Sequence, residues 1–554
     1  MQLSGSEMIV KCLLEQNVDT VFGYPGGAIM PLYDALYDAP IRHVLTVHEQ
    51  GAAHAADGYA RSCGKVGVCI ATSGPGATNL VTGLATAFMD SSPVVAITGQ
   101  VATSFLGRDA FQEIDIVGMT MSVTKHNFLV RDLSSLAEIV RMAFRIAASG
   151  RPGPVLIDVP RDILLAQGEF VPGFSFEKEN ASTDVSYQQA VISAADAISN
   201  SERPVMLVGG GMKAGQTWEE ARKLADTIGI PAVSTLMGLG AFSVKDAGFL
   251  GMTGMHGHKT ANWAVSEADV ILGIGTRFND RITGDCKKYA QGKTIIHLDV
   301  DPAEVSKNIP ADIMIIGDLR QTLNALNDLF LQRPSVDFSA WRKKIANWRQ
   351  EFPVEYKASQ LNAPWMMKHM SENIAGQSVV WVTDVGQHQM WAAQHLQIGT
   401  PREWISPGGL GTMGFGLPAA IGAQIACPDK QTVLVVGDGG FKMTGMELYT
   451  AINAKLPLIT VIINNQALGM VRQWQELFFQ QRYSATILSR FDFVSFSHAC
   501  GASAVEVFNP SEFASAFEQA LQSERAFVIV ANVETGDLVD PMVSPGQSIN
   551  QFVR

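Results

Sequence analysis

The sequence predicts an α/β protein built from three doubly wound domains with mainly parallel sheets. Three observations support this. The chain has 554 residues, which is too long for one hydrophobic core. Strand-like and helix-like stretches alternate through residues 1–165 and again through 186–335. Within the last predicted domain, 366–540, residues 433–470 have the pattern of a complete β-α-β unit.

That β-α-β unit has two apolar, β-rich runs, Val433–Val436 and Leu458–Ile463, separated by a helix-like segment. The first run is followed by Gly437-Asp438-Gly439 and the second by Asn464-Asn465. Parallel strands place both polar clusters at the same sheet edge. In open parallel sheets this carboxyl edge is where ligands bind.

The two clusters have the chemistry of a phosphate and metal site. Glycines at 437, 439 and 440 allow backbone amides to approach a phosphate closely. Asp438 and Asn465 lie 27 positions apart and offer oxygen ligands. Mg²⁺ prefers such oxygens and is usually completed by substrate phosphates. The alternative is a plain strand-turn-helix in which Asp438 caps the helix.

A second candidate site lies in the N-terminal region. The strand-like run Val44–Val47 precedes His48–Arg61, a helix-like stretch rich in Ala and Gly. So many small residues predict close packing against another helix or another subunit. Glu49 stands at the start of this helix, where an acid is favoured by the helix dipole alone.

The composition excludes several classes of protein. Hydrophobic residues make up 47% and charged residues 17%, as in soluble α/β proteins. The net charge of −12 argues against nucleic acid and anionic membranes as partners. Six cysteines without CxxC spacing argue for a reducing compartment and against zinc or a disulfide framework. The first residues look like an ordinary helix rather than a signal peptide, so we expect a cytoplasmic protein.

The central region carries weaker signals of a nucleotide ligand. After a Pro- and Gly-bearing linker at 166–185, the strand-like run at 204–208 is followed by three glycines. Gly209-x-Gly211-x-x-x-Gly215 departs from the dinucleotide-binding spacing. Several further strand ends carry Gly, Arg or Asp, which suits a ligand with a diphosphate and a ribose. The alternative is a structural α/β domain without a cofactor.

Taken together, these motifs resemble a known family. Gly-Asp-Gly followed some thirty residues later by Asn-Asn resembles the thiamine diphosphate signature. The stretch 468–479, LGMVRQWQELFF, is similar to the acetohydroxyacid synthase (acetolactate synthase) large-subunit family. The run 277–284, RFNDRITG, resembles that family's flavin-site run RFDDRVTG, with Asn279 in place of an Asp. The resemblance covers residues 4–545.

The resemblance implies a role for each domain. The first would bind the pyrimidine of thiamine diphosphate, the central one FAD, and the last the diphosphate and Mg²⁺. Glu49 would hydrogen-bond the aminopyrimidine and promote its imino tautomer, which activates the thiazolium C2. Gln112 would lie near C2, and Met413 would wedge under the cofactor and enforce its bent conformer. Without the family, Phe111 and Met413 would be interpreted as core residues.

The resemblance also implies contact residues for each ligand. For thiamine diphosphate they are Glu49, Val385, Gly386, Gln387, His388, Met413, Gly437, Asp438, Gly439, Gly440, Asn465 and Met470. For FAD they are Arg151, Gly209, Gly210, Gly211, Thr235, Leu236, Met255, His256, Gly275, Arg277, Asn279, Arg281, Asp299 and Asp318. For Mg²⁺ they are Asp438, Asn465 and the backbone carbonyl of Ala467, and for substrate Phe111, Arg281 and Trp474.

The implied reaction is decarboxylation of pyruvate and ligation of its two-carbon unit to a second 2-oxoacid. Products would be 2-acetolactate, or 2-aceto-2-hydroxybutyrate when 2-oxobutyrate is the acceptor, in branched-chain amino acid biosynthesis. Trp474 would favour the larger acceptor. In the family the two halves of the thiamine site come from different subunits, so we expect a homodimer or tetramer, which such enzymes often combine with a small regulatory subunit.

Other functions fit the sequence less well. The 468–479 run argues against a pyruvate oxidase, and the RFNDRITG run argues against a FAD-free catabolic acetolactate synthase. Pyruvate decarboxylases use an adjacent pair of histidines, and none of the 11 histidines here is adjacent to another. The presence of all four residues Glu49, Gln112, Asp438 and Asn465 argues against a cofactor-binding scaffold that catalyses no reaction.

Overall fold

The computed structural model describes residues 1–173, 185–353, 356, 359–374 and 376–553. By their internal contacts, these residues form two compact units. Unit 1 comprises 1–178, 376–388 and 405–535, and unit 2 comprises 179–375, 389–404 and 536–554. Most of the predicted linker, residues 174–184, lies outside the described residues. The predicted domain boundaries 1–165, 186–335 and 366–540 stay a prediction.

Among the described residues, the N-terminal part of unit 1 has eight strands and eight α-helices. They are β1 (Gln2–Ser4), α1 (Gly5–Glu15), β2 (Thr20–Gly23), α2 (Met30–Tyr37), β3 (Arg42–Leu45), α3 (Glu49–Cys63), β4 (Gly67–Ala71), α4 (Pro75–Asn79), α5 (Val81–Met89), β5 (Val94–Gln100), α6 (Ile116–Thr120), β6 (His126–Leu129), α7 (Leu133–Ala148), β7 (Val155–Pro160), α8 (Arg161–Leu165) and β8 (Gln167–Glu169).

Six of these strands form a parallel sheet in the order β3-β2-β4-β5-β7-β6. Alternate residues along β4 enter two different apolar cores: Val68 and Ile70 enter one, Cys69 and Ala71 the other. Because successive strand side chains point to opposite faces, the sheet is covered on both sides, as a doubly wound fold requires.

The central elements belong to unit 2. They are α9 (Val185–Ser199), β9 (Pro204–Val208), α10 (Gly211–Gly215), α11 (Trp218–Ile228), β10 (Ala232–Ser234), β11 (Phe249–Met252), α12 (Lys259–Glu267), β12 (Val270–Ile274), α13 (Asp280–Thr283), α14 (Cys286–Ala290), β13 (Thr294–Asp299), β14 (Ile313–Ile316), α15 (Leu319–Leu331) and α16 (Ser339–Glu351). The six strands form a parallel sheet in the order β11-β10-β9-β12-β13-β14.

The remaining elements run from 363 to 532. They are α17 (Ala363–Asn373), β15 (Val379–Thr383), α18 (Gln387–His395), β16 (Trp404–Ile405), α19 (Gly416–Ala426), β17 (Gln431–Gly437), α20 (Asp438–Thr444), α21 (Glu447–Asn453), β18 (Ile459–Asn464), α22 (Gly469–Phe478), α23 (Phe493–Cys500), β19 (Ser503–Val507), α24 (Pro510–Leu521) and β20 (Phe527–Asn532). Their sheet has the order β16-β15-β17-β18-β20-β19. The predicted α/β class with three mainly parallel sheets is therefore confirmed.

Two short strands correct the sequence analysis. The first residues begin with strand β1 before helix α1, and part of the predicted linker forms strand β8. The two pair antiparallel, with Leu3 opposite Gly168. A three-residue strand is too short to show a periodicity, and each strand's partner lies more than 160 positions away. The sequence pattern alone could not reveal this pairing.

Within unit 1, helices α3 and α19 pack at very short distance. A β-carbon added at Gly58 would lie 2.1 Å from the carbonyl oxygen of Ala419. One added at Gly422 would lie 1.9 Å from the carbonyl oxygen of Ala55. The small residues of α3 therefore serve close packing against another helix of the same chain, which was one of the two predicted possibilities. Among the described residues, no helix combines the length and apolar character needed to cross a bilayer.

Candidate functional site at the carboxyl edges of the sheets

The N-terminal edge centres on Glu49, the first residue of helix α3. The preceding residue, His48, is the N-cap, and its Nδ1 accepts from the backbone N–H of Gln50 at 3.1 Å. Glu49 is 8% exposed, and its Oε2 accepts from Nδ2 of Asn79 at 2.9 Å. A β-carbon at Gly76 would lie 3.1 Å from the other carboxylate oxygen. The carboxylate is thus oriented by its own domain.

Gln112 reaches the same glycine turn from a different loop. Its φ of +60° is a left-handed conformation that non-glycine residues rarely adopt. Gly74, with φ +59°, packs so closely on it that an added β-carbon would lie 2.9 Å from Cβ of Gln112. Glu49 and Gln112, 63 positions apart in the sequence, therefore flank the turn 74–76.

The loop that carries Gln112 is organised by its neighbour Glu113. The Glu113 carboxylate accepts backbone N–H groups from Gly107, from Arg108 at 3.2 Å and from Ala110 at 3.0 Å. These hydrogen bonds hold the pKa of Glu113 below its usual value. Phe111 is 89% exposed, so the alternative that it packs in the core is wrong.

The C-terminal edge carries Asp438, which begins helix α20 directly after strand β17. Strand β18 pairs parallel with β17, with Gly437 opposite Ile463, so Asn465 leaves the same edge two residues later. Asp438 is 2% exposed, and its Oδ2 has no hydrogen-bond partner among the described residues. Burial raises the pKa of Asp438 to about 6, and Lys442 partly opposes that effect.

This arrangement fits a hard cation. A buried carboxylate oxygen without a partner is costly unless a donor or a positive charge compensates it. Asn465 supplies a second oxygen, and its Oδ1 also accepts from the backbone N–H of Ala467 at 3.1 Å. Ala467 is 4% exposed and is held by a bridge to Ile487. Carboxylate, amide and carbonyl oxygens are the ligand types that Mg²⁺ takes.

Asp384 organises the loops around this edge, and the sequence analysis did not single it out. The side chain is fully buried, and it accepts backbone N–H groups from Val385 at 2.8 Å, Gly414 at 2.9 Å and Gly416 at 2.8 Å. Burial raises its pKa to about 6. Asp384 thereby joins the segment 385–388, which leads into helix α18, to the loop that carries Met413.

The predicted thiamine contacts of the last domain meet around Gly439. A β-carbon there would lie 3.6 Å from Cε of Met413 and 2.7 Å from Leu468. A β-carbon at Gly437 would lie 2.9 Å from the His388 ring. Burial lowers the pKa of His388 to about 3, so this ring is neutral. A side chain at either position would displace these neighbours, so glycine at 437 and 439 keeps the edge uncrowded.

Helix α22 follows this edge and carries two further predicted residues, Met470 and Trp474. Both are partly buried. The ring of Trp474 packs edge-on against Phe478 at a centroid distance of 5.6 Å. This contact holds the indole on the helix surface, next to the buried Gln473.

The predicted FAD residues of unit 2 follow the carboxyl ends of all six strands of its sheet, β9 to β14. Gly211 and Gly275 pack backbone to backbone, and a β-carbon on Gly211 would lie 2.7 Å from Cα of Gly275. Thr235 follows β10 and caps a short turn that contains Leu236. Asp299 ends β13, and its Oδ1 accepts from the N–H of Asp301.

Several other predicted FAD residues have defined local roles in unit 2. Asn279 caps helix α13 by accepting from Ile282, a role that the family's Asp could equally fill. Asp318 caps α15. Burial lowers the pKa of His256 to about 4, so the ring is neutral. Arg281 pairs with Asp280 at 3.3 Å.

Further buried polar atoms of unit 2 are available to a ligand, two of them on residues that were not predicted to bind FAD. Oγ of Ser234 and Oγ1 of Thr276 are buried and lack partners among the described residues, as does Nδ1 of His256. Orphaned neutral polar atoms beside close-packed glycines fit an extended polar ligand such as FAD. Arg151 belongs to unit 1, where its Nε donates to Ser91 at 2.8 Å.

Comparison with known proteins agrees with this geometry. Three thiamine pyrophosphate enzyme family models match: the N-terminal TPP binding domain at residues 3–119, the central domain at 191–326 and the C-terminal TPP binding domain at 384–531. The acetolactate synthase isozyme 2 large subunit of Escherichia coli K12 is 45% identical, with 100% of this chain and 99% of that protein covered.

Relatives from distant organisms match over equally long spans. The acetolactate synthase large subunit of Parasynechococcus marenigrum is 45% identical, with coverage of 100% of this chain and 91% of that protein. A probable acetolactate synthase large subunit of Methanocaldococcus jannaschii is 42% identical, with coverage of 100% and 95%.

Proposed function

We propose how this chain works from one premise: it belongs to the acetolactate synthase large-subunit family of thiamine diphosphate enzymes. As a catalytic subunit of this family, it is a thiamine-dependent transferase. We propose that it decarboxylates pyruvate and joins the two-carbon unit to a second pyruvate or to 2-oxobutyrate. The products, 2-acetolactate and 2-aceto-2-hydroxybutyrate, would serve valine, leucine and isoleucine biosynthesis.

One observation carries this proposal: the buried, unpartnered Oδ2 of Asp438 beside Asn465 at the ends of two paired strands. A bound Mg²⁺ would compensate this carboxylate and bridge it to a diphosphate. Asp438, Asn465 and the carbonyl of Ala467 would supply the protein ligands. The segment 385–388 and the glycines at 437, 439 and 440 would leave room for the diphosphate oxygens.

Thiamine diphosphate, when bound, supplies a thiazolium that accepts the electron pair released by decarboxylation. The protein's own residues would orient the cofactor and the substrate and would hold or move protons. Glu49, held by Asn79, would hydrogen-bond the aminopyrimidine nitrogen. Gln112, fixed in its left-handed conformation, would face the substrate carbonyl. Met413 would contact the bound cofactor and help to hold it in the conformation that the reaction needs.

Acceptor choice would depend on the apolar surface near helix α22. Trp474 would contact the extra methylene of 2-oxobutyrate, while Phe111 and Arg281 would border the substrate path. One methylene in an apolar pocket is worth about 1–3 kcal/mol, which sets the scale of the preference.

The FAD would be bound by the strand ends of the central domain. His256 is neutral and Asn279 caps its helix, and both features leave the Arg277 and Arg281 side chains as the cationic groups beside the ligand. We propose a structural role for this FAD, since the chemistry of carboligation transfers no electrons to a flavin.

We further propose a homodimer or tetramer in which Glu49 of one subunit serves the diphosphate site of another. A small regulatory subunit would join it, as the words "large subunit" in the names of the relatives suggest. The cysteine spacing supports a reducing compartment, and we propose the cytoplasm.

The test is a cofactor omission experiment. Purified protein is incubated with pyruvate, thiamine diphosphate, Mg²⁺ and FAD, and acetolactate is measured with each component left out in turn. We expect product only when thiamine diphosphate and Mg²⁺ are both present. Peroxide formation would indicate a pyruvate oxidase instead, and full activity without FAD would indicate a FAD-free synthase.

A further inference from the structure

Beside the proposed metal site lies a chain of three side-chain amides. Nδ2 of Asn465 donates to Oε1 of Gln387 at 3.1 Å, and Nε2 of Gln387 donates to Oε1 of Gln473 at 2.9 Å. All three side chains are buried, with Gln473 only 1% exposed. Nothing in the sequence motifs assigns a role to Gln473.

The direction of these hydrogen bonds decides which atom of Asn465 faces a cation. With Nδ2 committed to Gln387, the oxygen is the atom of Asn465 that is left to face a cation. An amide oxygen has two lone pairs, and the N–H of Ala467 uses only one of them. If Gln387 turned over, its NH₂ would face Nδ2 of Asn465, and Asn465 would have to rotate its own NH₂ toward the cation.

Gln473 prevents that reversal, because its Oε1 holds the NH₂ of Gln387 in place. Gly469 lies one helical turn before Gln473 on the same face of α22, and its backbone packs against Gln387 and Asn465. A β-carbon there would lie 2.1 Å from Oε1 of Gln387 and 2.6 Å from Nδ2 of Asn465. Helix α22 therefore packs directly against the amide chain through both residues.

We propose that Gln473 is a positioning residue that acts through Gln387 to keep the oxygen of Asn465 directed at Mg²⁺. It also connects the metal site to helix α22, which carries Trp474 and so the proposed acceptor preference. The inference rests on the proposed role of Asp438 and Asn465 as Mg²⁺ ligands.

The test compares Gln473→Leu with Gln473→Glu. Leu has a similar size but no acceptor, whereas Glu keeps an oxygen where Oε1 stands. Mg²⁺ is titrated at saturating thiamine diphosphate, and binding is followed by tryptophan fluorescence. We expect Gln473→Leu to weaken Mg²⁺ binding about 10–100-fold, the usual effect of losing a group that orients a metal ligand. Gln473→Glu should recover a large part of the affinity.

Gln424→Leu is the matched control. Gln424 is also buried in the same part of unit 1, where it donates to Lys430 and accepts from Thr432, both at 3.0 Å. Its loss should lower the melting temperature without changing Mg²⁺ affinity. Equal weakening in Gln424→Leu, unchanged affinity in Gln473→Leu, or no recovery in Gln473→Glu would each overturn the inference. Failure of the wild-type chain to bind Mg²⁺ and thiamine diphosphate would instead refute the proposed function.

Discussion

Two edges of unit 1 have the same architecture and different chemistry. In each, an acid begins a helix just beyond the end of a parallel strand: Glu49 on α3 and Asp438 on α20. The side chain of Glu49 is bonded by Asn79 of its own domain. Oδ2 of Asp438 is equally buried but has no partner among the residues that the structure describes.

This difference shows that the side chains around each carboxylate, rather than the fold, determine what that carboxylate can bind. Glu49 is oriented without any ligand, so it can offer a fixed hydrogen bond to one. Lys442 only partly offsets the desolvation cost of Asp438, and a bound cation would relieve the rest. Under the proposed function, a position in the same type of β-α unit would serve as a proton-handling group in one domain and as a metal ligand in the other.

Glu49→Gln is the most severe way to test this contrast. The amide keeps the size of the side chain but cannot take part in proton transfer, so we expect acetolactate formation to fall by about 10²–10⁴-fold. Binding of thiamine diphosphate with Mg²⁺ should change less than about threefold, because the metal edge is untouched. Steady-state kinetics and fluorescence titration measure the two effects, and a near-normal rate would exclude the assigned role.

Asp438→Asn should show the opposite pattern. Removing the buried charge deprives Mg²⁺ of its one anionic protein ligand in the proposed set. We expect cofactor affinity at fixed Mg²⁺ to fall by about 100-fold or more, an effect at or above the upper end for a group that only orients a ligand. The melting temperature of the cofactor-free protein should not fall, since an unpaired buried charge has been removed. Tight binding by the variant would contradict the metal assignment.

Trp474→Leu extends the comparison to the helix beyond the metal edge. The smaller side chain should lose apolar contact with the larger acceptor, which changes the product ratio by about 1–2 kcal/mol, or roughly tenfold. Turnover of pyruvate alone should persist. A competition assay between pyruvate and 2-oxobutyrate gives the ratio, and an unchanged ratio would remove Trp474 from the acceptor site.

Asp158→Asn offers the mildest test, through stability instead of activity. Asp158 is buried in the N-terminal sheet, where it accepts from Thr98 and Gln100, and burial raises its pKa to about 7. The protonated form is thus the one that folding favours. Its stabilisation is complete below pH 4 and is lost as pH rises through about 7.

Because Asn cannot ionise, Asp158→Asn should remove this part of the pH dependence. The slope of unfolding free energy between pH 4 and 7 should flatten by up to about 1.4 kcal/mol per pH unit. Melting temperatures of the cofactor-free wild type and variant across this range provide the measurement. Parallel curves for the two proteins would show that Asp158 does not titrate there.

Local patterns predicted the parts of this molecule that depend on neighbouring residues. The strand at 204–208 and the helix start at Glu49 lie where the sequence placed them. The strand expected at Val44–Val47 lies two residues earlier, at Arg42–Leu45, because pairing with β2 defines both of its ends. The shared edge of Asp438 and Asn465 followed from the rule that parallel strands align their carboxyl ends.

The contacts that orient the site could not be predicted in the same way. Asn79 lies 30 positions from Glu49, and Gln473 lies 86 positions from Gln387. The sequence around a polar residue in a helix does not indicate which distant side chain that residue will contact. Asp384 follows strand β15, and only the folded chain shows that it accepts the backbone N–H groups of Gly414 and Gly416.

The packing of α3 against α19 also constrains how such enzymes can be recombined. Gly58 meets the backbone of Ala419, and Gly422 meets that of Ala55, with no space for even a methyl group at either crossing point. A hybrid gene that took the first domain from one parent and the last from another would have to preserve both glycines together. Crossover points for such hybrids should therefore be chosen so that the two helices are inherited as a pair.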